Sequence, residues 1–463
     1  MTAVDVVVMA AGKGTRMKSA TPKVLHRLGG RPLIQHVMDT AQALQARRVI
    51  VITGHGADAL EGWLRDAAGA AGTPAPAFVR QEPQLGTGHA VQQAVPELPD
   101  DGIALILNGD VPLVRPATLQ ALVERCGGRR LALLTVEMAD PSGYGRIVRQ
   151  GEAVQAIVEH KDASAAQRAI REVYTGFMAA PAALLKRWLA RLTNDNAQGE
   201  YYLTDVVQLA VAEGCEVVAA AAGEVVEVEG VNSPLQLAQL ERAYQLRQAR
   251  ALMEQGVRLA DPARFDLRGT LACGQDVEID VNCVFEGAVA LGESVRIGPN
   301  CVIANATIAA GAVIQAFTHI DGEQAGASVG EGARIGPFAR LRPGAQLGPE
   351  VHIGNFVEVK NATLARGAKA NHLAYLGDAS VGERVNYGAG SITANYDGAH
   401  KNRTVIEADV HVGSNCVLVA PVTLGAGGTI GAGSVVNKDT EPGVLTVARG
   451  RQVSITGWKR PKK

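Results

Sequence analysis

The hydrophobic pattern of the chain changes at about residue 260. Before this point, short apolar runs are each followed by a longer amphipathic stretch; examples are DVVVMAA, RRVIVIT, GIALILNGD and RLALLTV. Buried strands that alternate with amphipathic helices are typical of βαβ units and of a mostly parallel sheet. The pattern therefore predicts a Rossmann-like α/β domain over residues 1–234.

After this point the apolar positions recur every six residues, and many are followed by glycine. Such a period is the signature of a parallel β-helix, in which each hexapeptide forms one wall of a triangular coil and points its apolar residue into the core. We therefore predict that residues 257–463 form a left-handed parallel β-helix of hexapeptide repeats followed by a tail. Breaks in the period at about 310–326 and 361–409 predict loops that leave the coil, where functional residues tend to lie. The residues in register are Leu291, Ile297, Ile303, Val329, Ile335, Leu341, Leu347, Ile353, Val359, Val412, Leu418, Leu424, Ile430 and Val436.

A helical linker is predicted between the two halves, over residues 235–256. Ser233-Pro234 supplies a helix start and Gly256 a stop, and between them apolar residues such as Leu240 and Tyr244 recur at helical spacing. Few of these residues need belong to either core, so each half is expected to fold alone.

Composition narrows the possible partners. Lys plus Arg (45) nearly equals Asp plus Glu (46), so no overall charge favours nucleic acid or an anionic membrane. No apolar run approaches the roughly 18 residues of a membrane-spanning helix. The six cysteines contain no Cys-x-x-Cys pair, which argues against a zinc knuckle or a disulfide framework. These features predict a cytoplasmic protein that binds small molecules rather than nucleic acid or membranes.

The segment VVVMAAGKGTRM at residues 6–17 predicts a phosphate-binding loop. Its glycines follow a buried strand and let backbone N–H groups approach an anion closely. It matches neither the Walker motif nor the dinucleotide fingerprint. Arg16 and Lys23 add two cations within reach of a triphosphate.

The motifs MAAGKGTRM, PKVLH, QLGTGHA, GDVPL, GYGRI, VEHKDA, NAQGEYYLTD and VEGVN resemble the sugar-nucleotide uridylyltransferases. Nearly the whole chain is similar to the family of bifunctional bacterial N-acetylglucosamine-1-phosphate uridylyltransferase/glucosamine-1-phosphate N-acetyltransferases. The resemblance implies acetyl transfer from acetyl-CoA to glucosamine 1-phosphate, followed by uridylyl transfer from UTP with release of pyrophosphate. The product, UDP-N-acetylglucosamine, serves envelope polysaccharides such as peptidoglycan and lipopolysaccharide.

In the first half, the resemblance implies Mg²⁺ held by Asp110 and Asn232. Asp110 follows a predicted strand, at the edge where open α/β sheets bind ligands. From the residues alone, Asp110 could instead cap a turn and Asn232 the following helix. Tyr174 stands where the family usually has the asparagine of an NTG motif that contacts the sugar. The other residues that the resemblance assigns to UTP or the sugar are Ala10, Ala11, Gly12, Gly14, Thr15, Arg16, Lys23, Gln81, Gly86, Thr87, Gly145 and Glu159.

In the second half, the resemblance makes His372 the general base for acetyl transfer. A histidine suits this task near neutral pH, and His372 lies in the predicted 361–409 loop. Arg342 and Lys360 each follow an inward residue, so both point outward and could share the sugar phosphate, although they could also be solvated surface charges. Tyr375, Asn386 and Asn395 are assigned to the sugar, with Tyr396 beside them. The set assigned to acetyl-CoA is Ala389, Asn395, Tyr396, Ser414, Ala432 and Arg449.

Two other interpretations remain. The solenoid could serve only for oligomerisation of a single-activity nucleotidyltransferase, or the chain could be a non-catalytic regulatory subunit. The intact glycine loop with Lys23 and Asp110 argues against a non-catalytic subunit. His372 with Arg342 and Lys360 argues against a solenoid that serves only for oligomerisation. A homotrimer is predicted, because a coenzyme A cleft is hard to build on one flat-walled coil and easier between prisms packed side by side.

Overall fold

A computed structural model describes residues 2–461, so the last two lysines of the basic tail lie outside the described residues. The chain divides into two compact units between Tyr244 and Gln245. Within the described residues, no helix is both long and apolar enough to cross a membrane.

The first unit is built on a mixed nine-stranded sheet in the order β11-β7-β10-β6-β1-β4-β5, to which the β8–β9 hairpin is attached through β10. Only β10 runs antiparallel to its neighbours in the main order, which confirms the prediction of a mostly parallel sheet. The strands, including the separate β2–β3 pair, are β1 (Val4–Met9), β2 (Arg27–Leu28), β3 (Arg31–Pro32), β4 (Arg48–Thr53), β5 (Ala77–Arg80), β6 (Ile103–Asn108), β7 (Leu131–Glu137), β8 (Arg146–Gln150), β9 (Ala153–Val158), β10 (Glu172–Pro181) and β11 (Val217–Ala221).

Helices cover both faces of this sheet, and two apolar clusters fill the space between them. Because the central strands are buried on both faces, they are continuous apolar runs such as IALILN in β6. The α-helices are α1 (Leu33–Ala43), α2 (Ala57–Ala71), α3 (Thr87–Ala94), α4 (Pro116–Cys126), α5 (Ala165–Arg168), α6 (Ala182–Leu189), α7 (Val206–Ala212), α8 (Val225–Val228) and α9 (Pro234–Glu254). Short 3₁₀ helices lie at Thr15–Met17, Lys23–Leu25, Val95–Glu97, Leu203–Asp205 and Pro262–Arg264.

Helix α9 begins where the sequence predicts, with the Ser233 hydroxyl accepting the Gln236 N–H at 3.3 Å. It is more than a linker. Leu240 and Tyr244 are buried in a cluster of the first unit, and Ala249 and Leu252 are buried in the core of the second.

The second unit is a left-handed parallel β-helix with three walls. Three long strands, Phe265–Cys273, Cys283–Leu291 and Val302–Ile308, bend across walls 2 and 3. The strands of wall 1 are Arg258–Leu259, Glu278–Ile279, Arg296–Ile297, Val313–Ile314, Arg334–Ile335, His352–Asn355, Lys369–His372, Asn386–Tyr387, His411–Val412, Thr429–Ile430 and Leu445–Thr446. Those of wall 2 are His319–Asp321, Arg340–Leu341, Glu358–Lys360, Tyr375–Gly377, Ile392–Ala394, Val417–Val419 and Val435–Val436. Those of wall 3 are Ala327–Val329, Gln346–Leu347, Thr363–Leu364, Ala379–Val381, Thr404–Ile406 and Val422–Leu424.

The two predicted breaks in the coil are wrong for most of their length. Strands continue through both segments, and inward residues such as Ile314, Ala370 and Tyr387 are buried there. The coil is left only locally, by a turn at 322–326 and by a projecting loop in which Tyr396 and Lys401 form a bridge. In the 361–409 segment the period was hidden because Ala370, Tyr387 and Thr393 replace the usual Val, Ile and Leu at inward positions. In the 310–326 segment the inward residues are Ile314 and Ile320, but they are out of register with the earlier repeat because Ile303 and Ile308 lie only five residues apart.

Candidate active sites

The glycine loop lies at the carboxyl edge of the sheet, directly after β1. Parallel pairing brings the ends of β4 and β6 to the same edge. The Ala11 carbonyl accepts the side-chain amide of Gln84 at 2.7 Å and the N–H of His55 at 3.3 Å, which fixes the loop. Gly14 has a φ of 58°, and a Cβ on it would lie 2.8 Å from the Lys23 Cβ. Ala10 and Ala11 are buried, whereas Gly12, Thr15 and Arg16 are exposed at the open side of the loop.

Lys23, Asp110 and Asn232 converge at this edge. The Lys23 ammonium pairs with the Asp110 carboxylate and donates to Asn232 Oδ1 at 3.2 Å. Val231 N–H also donates to the Asp110 carbonyl, at 2.9 Å. Ser233, not Asn232, caps helix α9, and the Asp110 carboxylate binds a cation rather than a turn N–H. The capping alternatives for Asp110 and Asn232 therefore do not describe their side chains.

This arrangement fits a divalent cation. The carboxylate and the amide oxygen already share one positive charge, the Lys23 ammonium, so the two oxygens face a common point. Mg²⁺ prefers oxygen ligands and usually takes only one or two from protein. Asp110 and Asn232 match that donor set.

A second group lies on the loop that follows β5. Gln81 is buried and donates to the Gly86 carbonyl at 2.8 Å. Thr87 is the first residue of α3, and its hydroxyl accepts a hydrogen bond from the Leu203 N–H at 3.0 Å. Tyr201 N–H donates to the Leu85 carbonyl at 2.8 Å, so the 85–87 segment is fastened along its length to residues 201–203.

A third group combines Gly145, Glu159 and Tyr174. Tyr174 N–H donates to the Gly145 carbonyl at 2.9 Å, and a Cβ on Gly145 would lie 3.5 Å from Glu159 Oε1. Burial raises the pKa of Glu159, although a hydrogen bond from the Thr204 hydroxyl at 3.1 Å opposes the shift. Burial and then Glu159 raise the pKa of Tyr174, so its phenol stays neutral.

The structure adds residues that the sequence analysis did not single out. Thr204 lies within the quoted NAQGEYYLTD motif, which is the signal that could have found it. Arg146 is 1% exposed, and its guanidinium bonds the Tyr144 carbonyl and reaches His160 Nδ1 at 3.1 Å. It thereby joins the two segments that carry Gly145 and Glu159.

In the second unit, four predicted residues form a column along the corner between walls 1 and 2. Ala370, Tyr387, Val412 and Ile430 pair in register on successive coils of wall 1. The residue two positions after each lies at the corner, and these residues are His372, Ala389, Ser414 and Ala432. Arg449 donates to the Ala432 carbonyl at 2.6 Å. His372 ends a wall-1 strand, so its expected position in a loop outside the coil is wrong; the inward Ala370 concealed the repeat.

Cations cluster on wall 2 at the other edge, where its strands end. Leu341 and Val359 pair and are fully buried, which confirms that Arg342 and Lys360 point outward on adjacent coils. Arg342 donates to Glu358 Oε1 at 2.8 Å, and this bond raises the pKa of its guanidinium. The neighbouring Lys401, which the sequence analysis missed, is the first cause of a lowered pKa at Lys360.

The remaining predicted residues are less closely grouped. Tyr375 lies on wall 2 in register with Glu358, whereas Asn386 is exposed on wall 1 in register with Lys369. Asn395 is nearly buried and donates to the Asp378 carboxylate, so its amide is engaged inside the protein. Tyr396 is exposed in the projecting loop and donates to the Gly398 carbonyl at 2.6 Å.

Family comparisons agree with this division into two sites. Residues 6–259 match the MobA-like NTP transferase domain, and residues 326–361 and 403–438 match the bacterial transferase hexapeptide, in six repeats. The fold and its sites thus define a transferase in which a nucleotidyltransferase unit precedes a hexapeptide acyltransferase unit.

Full-length relatives narrow this class. The Bifunctional protein GlmU of Acidovorax ebreus (strain TPSY) is 71% identical over 472 residues, covering 100% of this chain and 99% of the relative. That of Polaromonas sp. (strain JS666) is 70% identical over 474 residues, with the same coverage. A solved UDP-glucose pyrophosphorylase complexed with UDP-glucose has a TM-score of 0.44 at 18% identity, covering 52% of this chain and 98% of that one. The chain belongs to the family of bifunctional GlmU proteins.

Proposed function

We propose that the first unit transfers the uridylyl group of UTP to N-acetylglucosamine 1-phosphate, and that the second unit makes this acceptor from glucosamine 1-phosphate and acetyl-CoA. Membership of the family makes the chain a bifunctional uridylyltransferase and acetyltransferase. The convergence of Lys23, Asp110 and Asn232 beside the glycine loop is the observation that carries the first activity.

In uridylyl transfer, a phosphate oxygen of the sugar attacks the α-phosphorus of UTP, and the bond to pyrophosphate breaks. The loop N–H groups, Arg16 and Lys23 hold the triphosphate and offset the charge that develops on the leaving group. Gln81, Gly86 and Thr87 hold the nucleoside, and Gly145, Glu159 and Tyr174 the sugar. Mg²⁺ bound by Asp110 and Asn232 would supply a Lewis acid that orients the phosphates. Lys23 then turns from Asp110 toward the phosphates.

In acetyl transfer, the amine of glucosamine 1-phosphate attacks the thioester carbon, the carbon–sulfur bond breaks and coenzyme A leaves as the thiolate. His372 Nε2 takes the proton that the amine loses. Arg342, Lys360 and Lys401 bind the sugar phosphate, and Tyr375 and Asn386 flank the sugar. The mutual repulsion of Lys360 and Lys401 supports this assignment, because a shared anion would relieve it.

The corner column supports an extended binding mode for acetyl-CoA. Successive coils lie about 4.8 Å apart, so His372 and Ala432 are separated by about 14 Å along the corner. Small side chains at Ala389, Ser414 and Ala432 leave room for a pantetheine arm. The thioester then lies at His372 and the phosphates toward Arg449. Asn395 and Tyr396 begin the projecting loop between walls 2 and 3, so they are not part of this column.

We further propose a homotrimer in which a second copy covers an apolar ladder next to this corner. Phe317, Phe338, Phe356 and Leu373 are about half exposed on successive coils. The phenylalanine rings stack with centroids 5.0 and 5.3 Å apart. All four residues have positive φ, which is costly for bulky side chains. An exposed apolar strip in a costly conformation, beside the candidate base, favours a neighbouring prism that closes the cleft.

Product analysis tests the two activities together. The full chain is incubated with glucosamine 1-phosphate, acetyl-CoA, UTP and Mg²⁺, and products are followed by mass spectrometry. We expect N-acetylglucosamine 1-phosphate and then UDP-N-acetylglucosamine. His372→Ala should make neither from glucosamine 1-phosphate but should still uridylylate added N-acetylglucosamine 1-phosphate. His319→Ala, at an exposed histidine of wall 2, is the control. Normal acetylation by His372→Ala would contradict the assignment.

Sedimentation tests the assembly. Phe338→Asp should reduce the trimer to monomers and abolish acetyl transfer while leaving uridylyl transfer intact, whereas Phe338→Leu should keep both. A fully active monomer of the unaltered protein at assay concentration would refute the proposal.

A further inference from the structure

The candidate base His372 is held by a neutral amide on the preceding coil. Asn355 and His372 are in register at the ends of adjacent wall-1 strands. Asn355 Oδ1 lies 2.8 Å from His372 Nδ1, and the Asn355 carbonyl accepts the Leu373 N–H at 3.0 Å. Asn355 therefore bonds the imidazole ring through its side chain and the following backbone through its carbonyl.

The charges on this part of wall 1 are positive. Arg334, His352 and Lys369 stand in register on three successive coils. Burial lowers the pKa of His352, and Arg334, Lys369 and His372 lower it further. Among the residues that the structure describes, no carboxylate bonds to His372 or Asn355, and His372 Nε2 has no hydrogen-bond partner. The imidazole of His372 is thus held by a neutral amide, on a wall that carries positive side chains.

We propose that Asn355 is a positioning residue for acetyl transfer, an inference that rests on the proposed function of the second unit. Its Oδ1 accepts the Nδ1–H bond of His372 and so selects the tautomer whose Nε2 lone pair faces the amine. When Nε2 takes the proton, both ring nitrogens carry hydrogen and the Asn355 bond persists. The imidazolium then passes the Nε2 proton to the thiolate of coenzyme A, which becomes the thiol.

Asn355 bonds the second ring nitrogen of His372 with a neutral amide, not with a carboxylate. A carboxylate bonded to the second nitrogen of a histidine stabilises the imidazolium, whereas an amide supplies orientation without a negative charge. Asn355 therefore sets the orientation of the ring without adding a charge.

The test compares Asn355→Ala and Asn355→Asp in the full chain. Asn355→Ala should lower kcat for acetyl transfer by about 10²-fold, the lower end of what a general base contributes. Asn355→Asp keeps the acceptor, so it should retain most of the activity at high pH. Because its carboxylate favours the protonated ring, and because only the unprotonated ring is a base, the acidic limb of its pH–rate profile should move to higher pH.

Controls separate folding from positioning. Uridylyl transfer should be unchanged in every variant. Asn300→Ala removes an amide that accepts Asn282 Nδ2 at 3.1 Å on earlier coils, and it should leave acetyl transfer normal. Full activity in Asn355→Ala, or equal inactivity of Asn355→Ala and Asn355→Asp at all pH values, would overturn the inference. If His372→Ala itself remained active, the proposed base would fail, whatever the Asn355 variants do.

Discussion

Replacing Tyr174 with phenylalanine should stabilise the unliganded first unit and weaken sugar binding. Tyr174 is 8% exposed, and its hydroxyl has no hydrogen-bond partner within the described residues. Its ring packs in an apolar cluster with Ile147 and Ile157, and its hydroxyl is close enough to Glu159 for that carboxylate to raise its pKa. The phenol is therefore a neutral donor that a sugar oxygen could satisfy.

The two expected effects have calculable sizes. A buried hydroxyl without a partner costs about 1–3 kcal/mol, so its removal should stabilise the free protein by about 1 kcal/mol or more. In a unit of this size, 1 kcal/mol corresponds to a rise in Tm of about 2–4 °C. Loss of one hydrogen bond to the sugar costs about 0.5–1.5 kcal/mol, which raises KM for N-acetylglucosamine 1-phosphate about two- to tenfold.

Calorimetry of the full chain measures Tm with and without UDP-N-acetylglucosamine, and steady-state assays give KM. Tyr387→Phe is the matched control, because Tyr387 is 3% exposed in the core of the second unit and its hydroxyl also lacks a partner among the described residues. It should raise stability without altering uridylyl transfer. A lower Tm together with an unchanged KM in Tyr174→Phe would refute the reasoning.

Three further predictions address charge, pH and domain structure. Asp110→Asn should lower the rate of uridylyl transfer by orders of magnitude, because the side chain keeps its shape but loses its negative charge. Acetyl transfer should be unchanged. Near-normal formation of UDP-sugar would remove Asp110 from the site. Glu159→Gln should raise Tm more at pH 8 than at pH 4.5. Burial raises the pKa of the Glu159 carboxyl, so the folded protein loses stability as pH rises through that pKa and the carboxyl ionises, whereas glutamine stays neutral. An equal gain at both pH values would contradict this. A fragment ending at residue 254 should fold and form UDP-N-acetylglucosamine. A fragment ending at residue 235 loses the buried Leu240 and Tyr244 and should be destabilised by several kcal/mol, roughly the cost of emptying core positions. Equal urea midpoints for the two fragments would count against this division of α9.

The sequence by itself determined the two architectures. Apolar strands alternating with amphipathic helices imply a parallel sheet, and a six-residue apolar period implies a β-helix, because both patterns follow from local rules about which side chains face a core. The same rules placed Asp110 at the ligand-binding edge of the sheet and turned Arg342 and Lys360 outward. The pattern failed where Ala370 and Tyr387 fill inward positions, since volume inside a narrow coil depends on neighbouring coils rather than on the repeat itself.

Only the tertiary structure decided which distant residues meet. Lys23 contacts Asp110 and Asn232, which lie 87 and 209 residues away, and no local pattern encodes such separations. His372, Ala389, Ser414 and Ala432 form one column despite unequal spacing, because the projecting loop adds residues between coils without changing their stacking. The hydrogen bond between Asn355 and His372 likewise follows from the register between adjacent coils. Local periodicity specifies the elements, whereas side-chain chemistry at a site depends on the register that packing imposes between them.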